Sequence, residues 1–268
     1  MSHLLYEKDA GIAWLTLNRP NKRNAISPEM LVQLRNAWRD FRSDDEMRVA
    51  ILTGAGDKAF CAGADLQRLI PLFTRTREAE DEWDEALLAD PETLNVGLLR
   101  DFELYKPVIA AVNGFALAGG TEILQAADIR VACPEASFGL SEAKRGIIPA
   151  GGSLVRLQRQ IPFAKAMEIL LTGEAISAQE AHRVGLVNEI VPQKELLDRA
   201  KAVAQTIAEN GPLAVQKIKE ALLRTNGLPL AEAFAIESEC ARAVMGSKDA
   251  VEGPRAFMEK RKPAFTGH

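Results

Sequence analysis

The chain has 268 residues, 47% hydrophobic and 26% charged, with a net charge of −4. That apolar content can bury a sizeable core in one large domain or two smaller ones, and an acidic balance without a basic stripe argues against nucleic acid as a partner. No apolar run reaches the roughly 20 residues of a bilayer span, so no membrane association is expected.

The first residues, MSHLLYEKDAG, lack the basic start, apolar stretch and small-residue cleavage site of a secretory leader. Cys61, Cys133 and Cys240 are odd in number and far apart, and His3, His182 and His268 are equally scattered. No disulfide framework and no metal site are expected, and the expected location is cytoplasmic.

In chain order, residues 3–8 and 12–17 read as two strands turned at Asp9-Ala10-Gly11. Pro28 opens a helix to about Phe41, with Ser27 as its N-cap. Short apolar runs at 49–52, 108–112 and 129–132 read as buried strands with helical segments between them. The acidic stretch RTREAEDEWDEALLADPE, within residues 70–95, reads as an exposed helix or a lid. Beyond about residue 150 strands nearly vanish, and helices are expected at 154–160, 164–171, 178–184, 194–209, 213–224, 230–245 and 248–260. The pattern is a mixed α/β core with a helical C-terminal third, without repeats or linkers.

Three stretches carry potential chemistry. GAGDKAFCAGADL, from Gly54 to Leu66, follows a strand and offers small residues that let backbone approach a ligand. It is a poor dinucleotide fingerprint, because the third glycine is missing and no helix follows at once. VNGFALAGGTEILQAAD, from Val112 to Asp128, takes a strand through a small-residue turn into a helix starting near Gly119. Such a helix start presents unpaired N–H groups to an anion. Glu122 lies one turn in, among apolar neighbours, where burial would raise its pKa and suit it to proton transfer. ASFGLSEAKRGIIPAGG, from Ala136 to Gly152, carries Glu142 between a short strand and Gly146. Gly139-Leu140-Ser141-Glu142-Ala143 is a weak match to a hydrolase nucleophile elbow, since its last glycine is alanine.

Taken together these stretches resemble the crotonase, or enoyl-CoA hydratase/isomerase, superfamily over essentially the whole chain. RPNKRNAIS at 19–27 and FMEKRKPAF at 257–265 are similar to its early and terminal motifs, and PAGGSLVRLQRQ from Pro149 to the region after its active site. The resemblance implies a crotonase-type α/β spiral of ββα units over 1–200, with a helical trimerisation region over 201–268. It implies an oxyanion hole from the N–H groups of Ala64 and Gly119, and catalytic carboxylates at Glu122 and Glu142. That glutamate pair favours hydration of a 2-enoyl-CoA. An enoyl-CoA isomerase is the alternative within the family; a serine hydrolase and an RNA-binding protein are the readings outside it. Contacts to the CoA thioester fall on Lys22, Arg23, Ala25, Ala62, Asp65, Leu66, Phe257 and Lys260. CoA enters as part of the substrate, with no separate cofactor and no metal, and the chain is expected to form a homotrimer or a hexamer. Gln67 stands where a lysine is often found, and the 70–95 segment is longer than in short-chain hydratases.

Overall fold

The computed structural model describes residues 1–268. The chain opens with the hairpin β1 (Leu4–Asp9) and β2 (Ile12–Leu17), then α1 (Pro28–Ser43), β3 (Val49–Gly54) and β4 (Ala59–Cys61). Three short helices follow: α2 (Leu69–Phe73), α3 (Glu82–Ala89) and α4 (Thr93–Gly97). Next come β5 (Val108–Val112), β6 (Phe115–Leu117), α5 (Gly119–Ala126), β7 (Ile129–Ala132) and β8 (Ser137–Gly139). The rest is mainly helical: α6 (Ser153–Gln160), α7 (Phe163–Thr172), β9 (Ile176–Ser177), α8 (Ala178–Arg183), β10 (Glu189–Ile190), α9 (Leu196–Ala208), α10 (Pro212–Thr225), α11 (Leu230–Met245) and α12 (Lys248–Met258).

The strands form two sheets. The larger has the order β1-β2-β3-β5-β7-β10 and the smaller β4-β6-β8-β9. Apart from the antiparallel pairs β1–β2 and β8–β9, all neighbours are parallel. Each of the pairs β3–β4, β5–β6 and β7–β8 sends its first strand to the large sheet and its second to the small one. This is the expected spiral. The small sheet was invisible in the sequence apart from the strand before Glu142, because three-residue strands are too short to show a period.

Both faces of the large sheet are covered. Ala50, Leu52, Ala110 and Val112 join the main core with Trp38 and Phe41 of α1. Val49, Ile51, Ile109, Ala111 and Val131 face the other way, against Leu196, Ala200 and Ala204 of α9. Strands buried on both faces read as continuous apolar runs, which is how 49–52 and 108–112 look in the sequence. The helix α9, which closes the sheet, runs from Leu196 to Ala208, across the boundary expected at residue 200. Beyond α9 burial falls sharply. The helix expected at 230–245 is α11; Cys240 is its single buried residue in this chain, and Leu230, Phe234 and Met245 are open to solvent.

Candidate active site

The site forms where two sheet turns meet. A parallel bridge joins Ile26 to Ala64: the Ile26 N–H donates to Gly63 O and the Asp65 N–H to Ile26 O, both at 2.8 Å. Between them the Ala64 N–H has no acceptor. The second turn ends at Ala118, whose φ of 50° is costly for a residue with a Cβ. It leads into α5 at Gly119, whose N–H stands in the first helical turn and has no intrahelical acceptor. A Cβ on Gly119 would lie 3.8 Å from the Ala64 nitrogen, so the two backbone segments run side by side at the cavity. At the next position a Cβ would stand 2.2 Å from the Cys61 carbonyl oxygen; only Gly120 lets α5 lie this close to β4.

Glu122 lies on the buried face of α5, 5% exposed. Its Oε1 accepts from the Gly151 N–H at 2.7 Å and the Ser153 N–H at 3.4 Å. Burial raises its pKa, and these donors work against the rise. Glu142 follows β8 and precedes a 3-10 turn at Ala143–Arg145. It is 7% exposed, and its Oε2 is buried without a partner. Burial pushes its carboxyl up to about 7, with repulsion from Glu122 adding to the rise and Arg145 opposing it. Near neutral pH the Glu142 carboxyl holds a proton readily, while at Glu122 the N–H donors oppose the upward shift that burial causes.

One cavity of about 240 Å³ collects these groups. Ala62, Ala64, Gly119, Glu122 and Glu142 line it together with Leu66, Leu69, Ile70, Phe73, Leu94, Leu98, Ile147 and Ile148. Ser141 and Arg145 are its other polar lining residues. The Ser141 hydroxyl accepts from Arg145 at 2.7 Å, and His182 is engaged by the Val187 carbonyl, so no serine–histidine pair forms. No cluster of His, Cys, Asp and Glu is arranged to hold a metal.

The other expected contact residues divide. Ala62 and Leu66 line the cavity. Lys22 and Arg23 are exposed and form no ion pair; neither lines the cavity, and the Arg23 carbonyl accepts from the N–H of the lining residue Ala62 at 3.0 Å. Ala25 is off the cavity, and its carbonyl accepts from Arg19. Asp65 does not line the cavity. Its carboxylate pairs with Arg19 at 2.9 Å and receives the Gln67 and Arg68 N–H groups, so it shapes the loop rather than facing a ligand. Phe257 and Lys260 lie at the end of α12, away from this cavity, with Phe257 85% exposed.

The sequence reading missed three features. Asn24 is fully buried at φ 55° and donates to Ala55 O and Ala59 O while accepting from Arg19 N, pinning the 19–26 loop to β4. Its place after Arg23 in the early motif was the available signal. Gly151 and Ser153 supply the donors to Glu122, 29 and 31 residues away. The 70–95 segment is a cavity wall rather than a free helix, held by the fully buried Asp84.

Comparison with known proteins follows the same lines. Residues 7–268 match the enoyl-CoA hydratase/isomerase family model. Enoyl-CoA hydratase EchA19 of Mycobacterium tuberculosis is 45% identical over 261 residues, covering 97% of this chain and 95% of that protein. A carnitinyl-CoA dehydratase of Salmonella paratyphi A is 42% identical over 264 residues, covering 97% of each. The crystal structure of an enoyl-CoA hydratase from Bacillus anthracis superposes with a TM-score of 0.89 at 38% identity, covering 99% of this chain and 100% of that one.

Proposed function

Since this chain belongs to the enoyl-CoA hydratase/isomerase family, we propose that it adds water across the double bond of a 2-enoyl-CoA to give the 3-hydroxyacyl-CoA. The observation that carries this reading is the pair of buried glutamates on one cavity with two free N–H donors. Water attacks C3, the π electrons move toward the thioester, and negative charge gathers on its oxygen. Donors fixed in place for that charge stabilise the enolate without reorganising as it forms. Glu122, oriented by two N–H groups, takes the proton from water. Glu142, its carboxyl pushed up to about 7, delivers a proton to C2. The two carboxyls then re-equilibrate their proton between turnovers. Hydration and dehydration are one step run in opposite directions, so relatives named for each fit one site.

The cavity is mostly apolar and carries Arg145, so the proposed acyl group is an uncharged hydrocarbon chain rather than one bearing a quaternary ammonium. The exposed Lys22 and Arg23, on the loop whose backbone bonds to Ala62, are the proposed partners for the CoA phosphates. No helix is long and apolar enough to cross a membrane. The exposed apolar residues of α11 support assembly into a trimer or hexamer, in which a neighbouring copy could bring Phe257 and Lys260 to a cavity that their own chain does not reach. Light scattering should show a trimer or a multiple of it; a lone monomer at micromolar concentration overturns that part.

The catalytic reading is tested with Glu122→Gln and Glu142→Gln, by loss of enoyl absorbance on crotonyl-CoA and longer 2-enoyl-CoA esters. Each variant should keep its circular dichroism and lose about 10²–10⁴ in turnover. Near-normal hydration in either folded variant overturns the reading. Migration of a 3-enoyl double bond that survives in one variant points to the isomerase.

A further inference from the structure

The turn that holds Glu122 is itself gripped by one side chain. Gly151 and Ser153 donate to the Glu122 carboxylate, and Gly152 between them has a φ of 124°, open only to glycine. Arg156, one turn further along α6, folds back over this turn. Its Nη1 lies 2.9 Å from where a Cβ on Gly152 would stand. Its Nη2 donates to the Leu99 and Arg100 carbonyls, at the end of the cavity wall. Leu98 of that wall lines the cavity, and its side chain lies 2.8 Å from where a Cβ on Gly151 would stand. Turn and wall therefore meet at one guanidinium.

We propose that Arg156 is a positioning residue for the hydration step, clamping the 151–153 turn to the 98–100 segment so that its N–H groups hold Glu122 at one angle to the cavity. This rests on Glu122 acting as the base. A tie between α6 and the wall would need only Nη2. Nη1, however, is also buried, without any acceptor, against the turn. A cation kept there at the cost of desolvation favours the ionised form of the nearby base. The charged groups around Glu122 are Glu142 across the cavity and Arg100 and Arg156 behind it. Burial lowers the Arg156 pKa, while attraction to Glu122 opposes the fall; that attraction is mutual, so Arg156, like Arg100, works against the upward shift that burial gives Glu122.

The test compares Arg156→Gln, Arg156→Lys and the exposed control Arg159→Gln on the full-length protein, with a 2-enoyl-CoA ester across pH. Arg156→Gln should lower kcat about 10–100-fold, the scale of a small misplacement of a reacting group, with KM almost unchanged. The acid limb of its profile should move to higher pH. Arg156→Lys keeps the charge and loses the fork, so it should restore the limb and recover kcat only in part. Arg159→Gln should behave as wild type. A folded Arg156→Gln with wild-type kcat and acid limb overturns the proposal, as does an Arg156→Lys that shifts the limb as far as Gln. If Arg156→Gln does not fold, Arg156→Lys decides: wild-type kcat overturns the proposal. Near-normal turnover in Glu122→Gln would sink the base assignment instead, and separates the two failures.

Discussion

The cavity has two sides held by different forces. Its catalytic floor is set by backbone: the Ile26–Ala64 bridge, the start of α5 lying on β4 at Gly120, and the N–H groups that hold Glu122. Its opposite wall, α2 to α4, proposed to shape the acyl chain, adds a charged network to its apolar packing. Asp84 is fully buried and accepts from Arg77 at 2.5 and 3.0 Å, from Arg68 at 3.3 Å and from the Glu80 N–H at 3.0 Å. The Arg77 hydrogen bonds, the largest effect, pull its carboxyl down to about 2 against the opposing effect of burial. On the outer side Arg35 reaches Asp90 and Thr93. Chemistry on an enolate needs donors fixed to a fraction of an ångström, which backbone in sheets and helix starts provides. A surface that only shapes an acyl chain can rest on side chains, and side chains are replaceable.

The sharpest way to break this contrast is Gly119→Val. A Cβ there would lie 3.1 Å from Ile26 Cδ1 and beside the Ala64 nitrogen, so valine should displace the donor while the helix persists. Turnover should fall about 10²–10³-fold, the loss typical of one oxyanion donor, with the loss mainly in kcat. Wild-type initial rates would show that the helix start is not the oxyanion site. Next comes Asp84→Asn, which leaves two arginines facing a neutral amide. Breaking a buried pair typically costs about 3–5 kcal/mol. Chemical denaturation should show that loss, while kcat on crotonyl-CoA changes far less than in Gly119→Val. A variant equally crippled in kcat would merge floor and wall into one unit. The wild-type wall has a defined acid limit: the folded pKa of Asp84 is depressed from 3.8, so its contribution is present above about pH 4 and is lost as pH falls toward 2.

The smallest effect is in stability at the floor. Glu142 titrates near 7 when folded and from 4.5 in a free chain, so the folded state binds the extra proton between those values. Its contribution therefore weakens as pH rises through 4.5 to 7. Glu142→Gln removes that slope. Thermal melts should show the variant gaining Tm on wild type from pH 5 to pH 8 while remaining inactive. Parallel curves would mean that the carboxyl is not strained by burial.

The two glutamates were unequally legible. Glu122 could be read because a strand end, a small-residue turn and an apolar helix surround it in sequence, and burial follows from that helix. Nothing local distinguishes Glu142 from a surface residue beside Lys144 and Arg145; the resemblance alone singled it out, and β8 with its following turn carries it inward. The wall misled for the opposite reason. Its acidic composition reads as solvated, yet Arg68 and Arg77 fold over Asp84 and bury it. The partner of the Asp65 carboxylate was not legible either, because Arg19 lies 46 positions away in sequence.

Local pattern alone determined the buried parallel strands, the start of α5, the seven C-terminal helices and, through ordered motifs, the family. Those signals depend on neighbours in the chain: period, caps and small residues where backbone must approach. Tertiary structure decided the small sheet, the burial of Glu142, the N–H donors from 151–153 that orient Glu122, the ionic wall and the exposure of α11. Each depends on residues far apart in sequence meeting in space, and on which of them water can still reach, which no local pattern encodes.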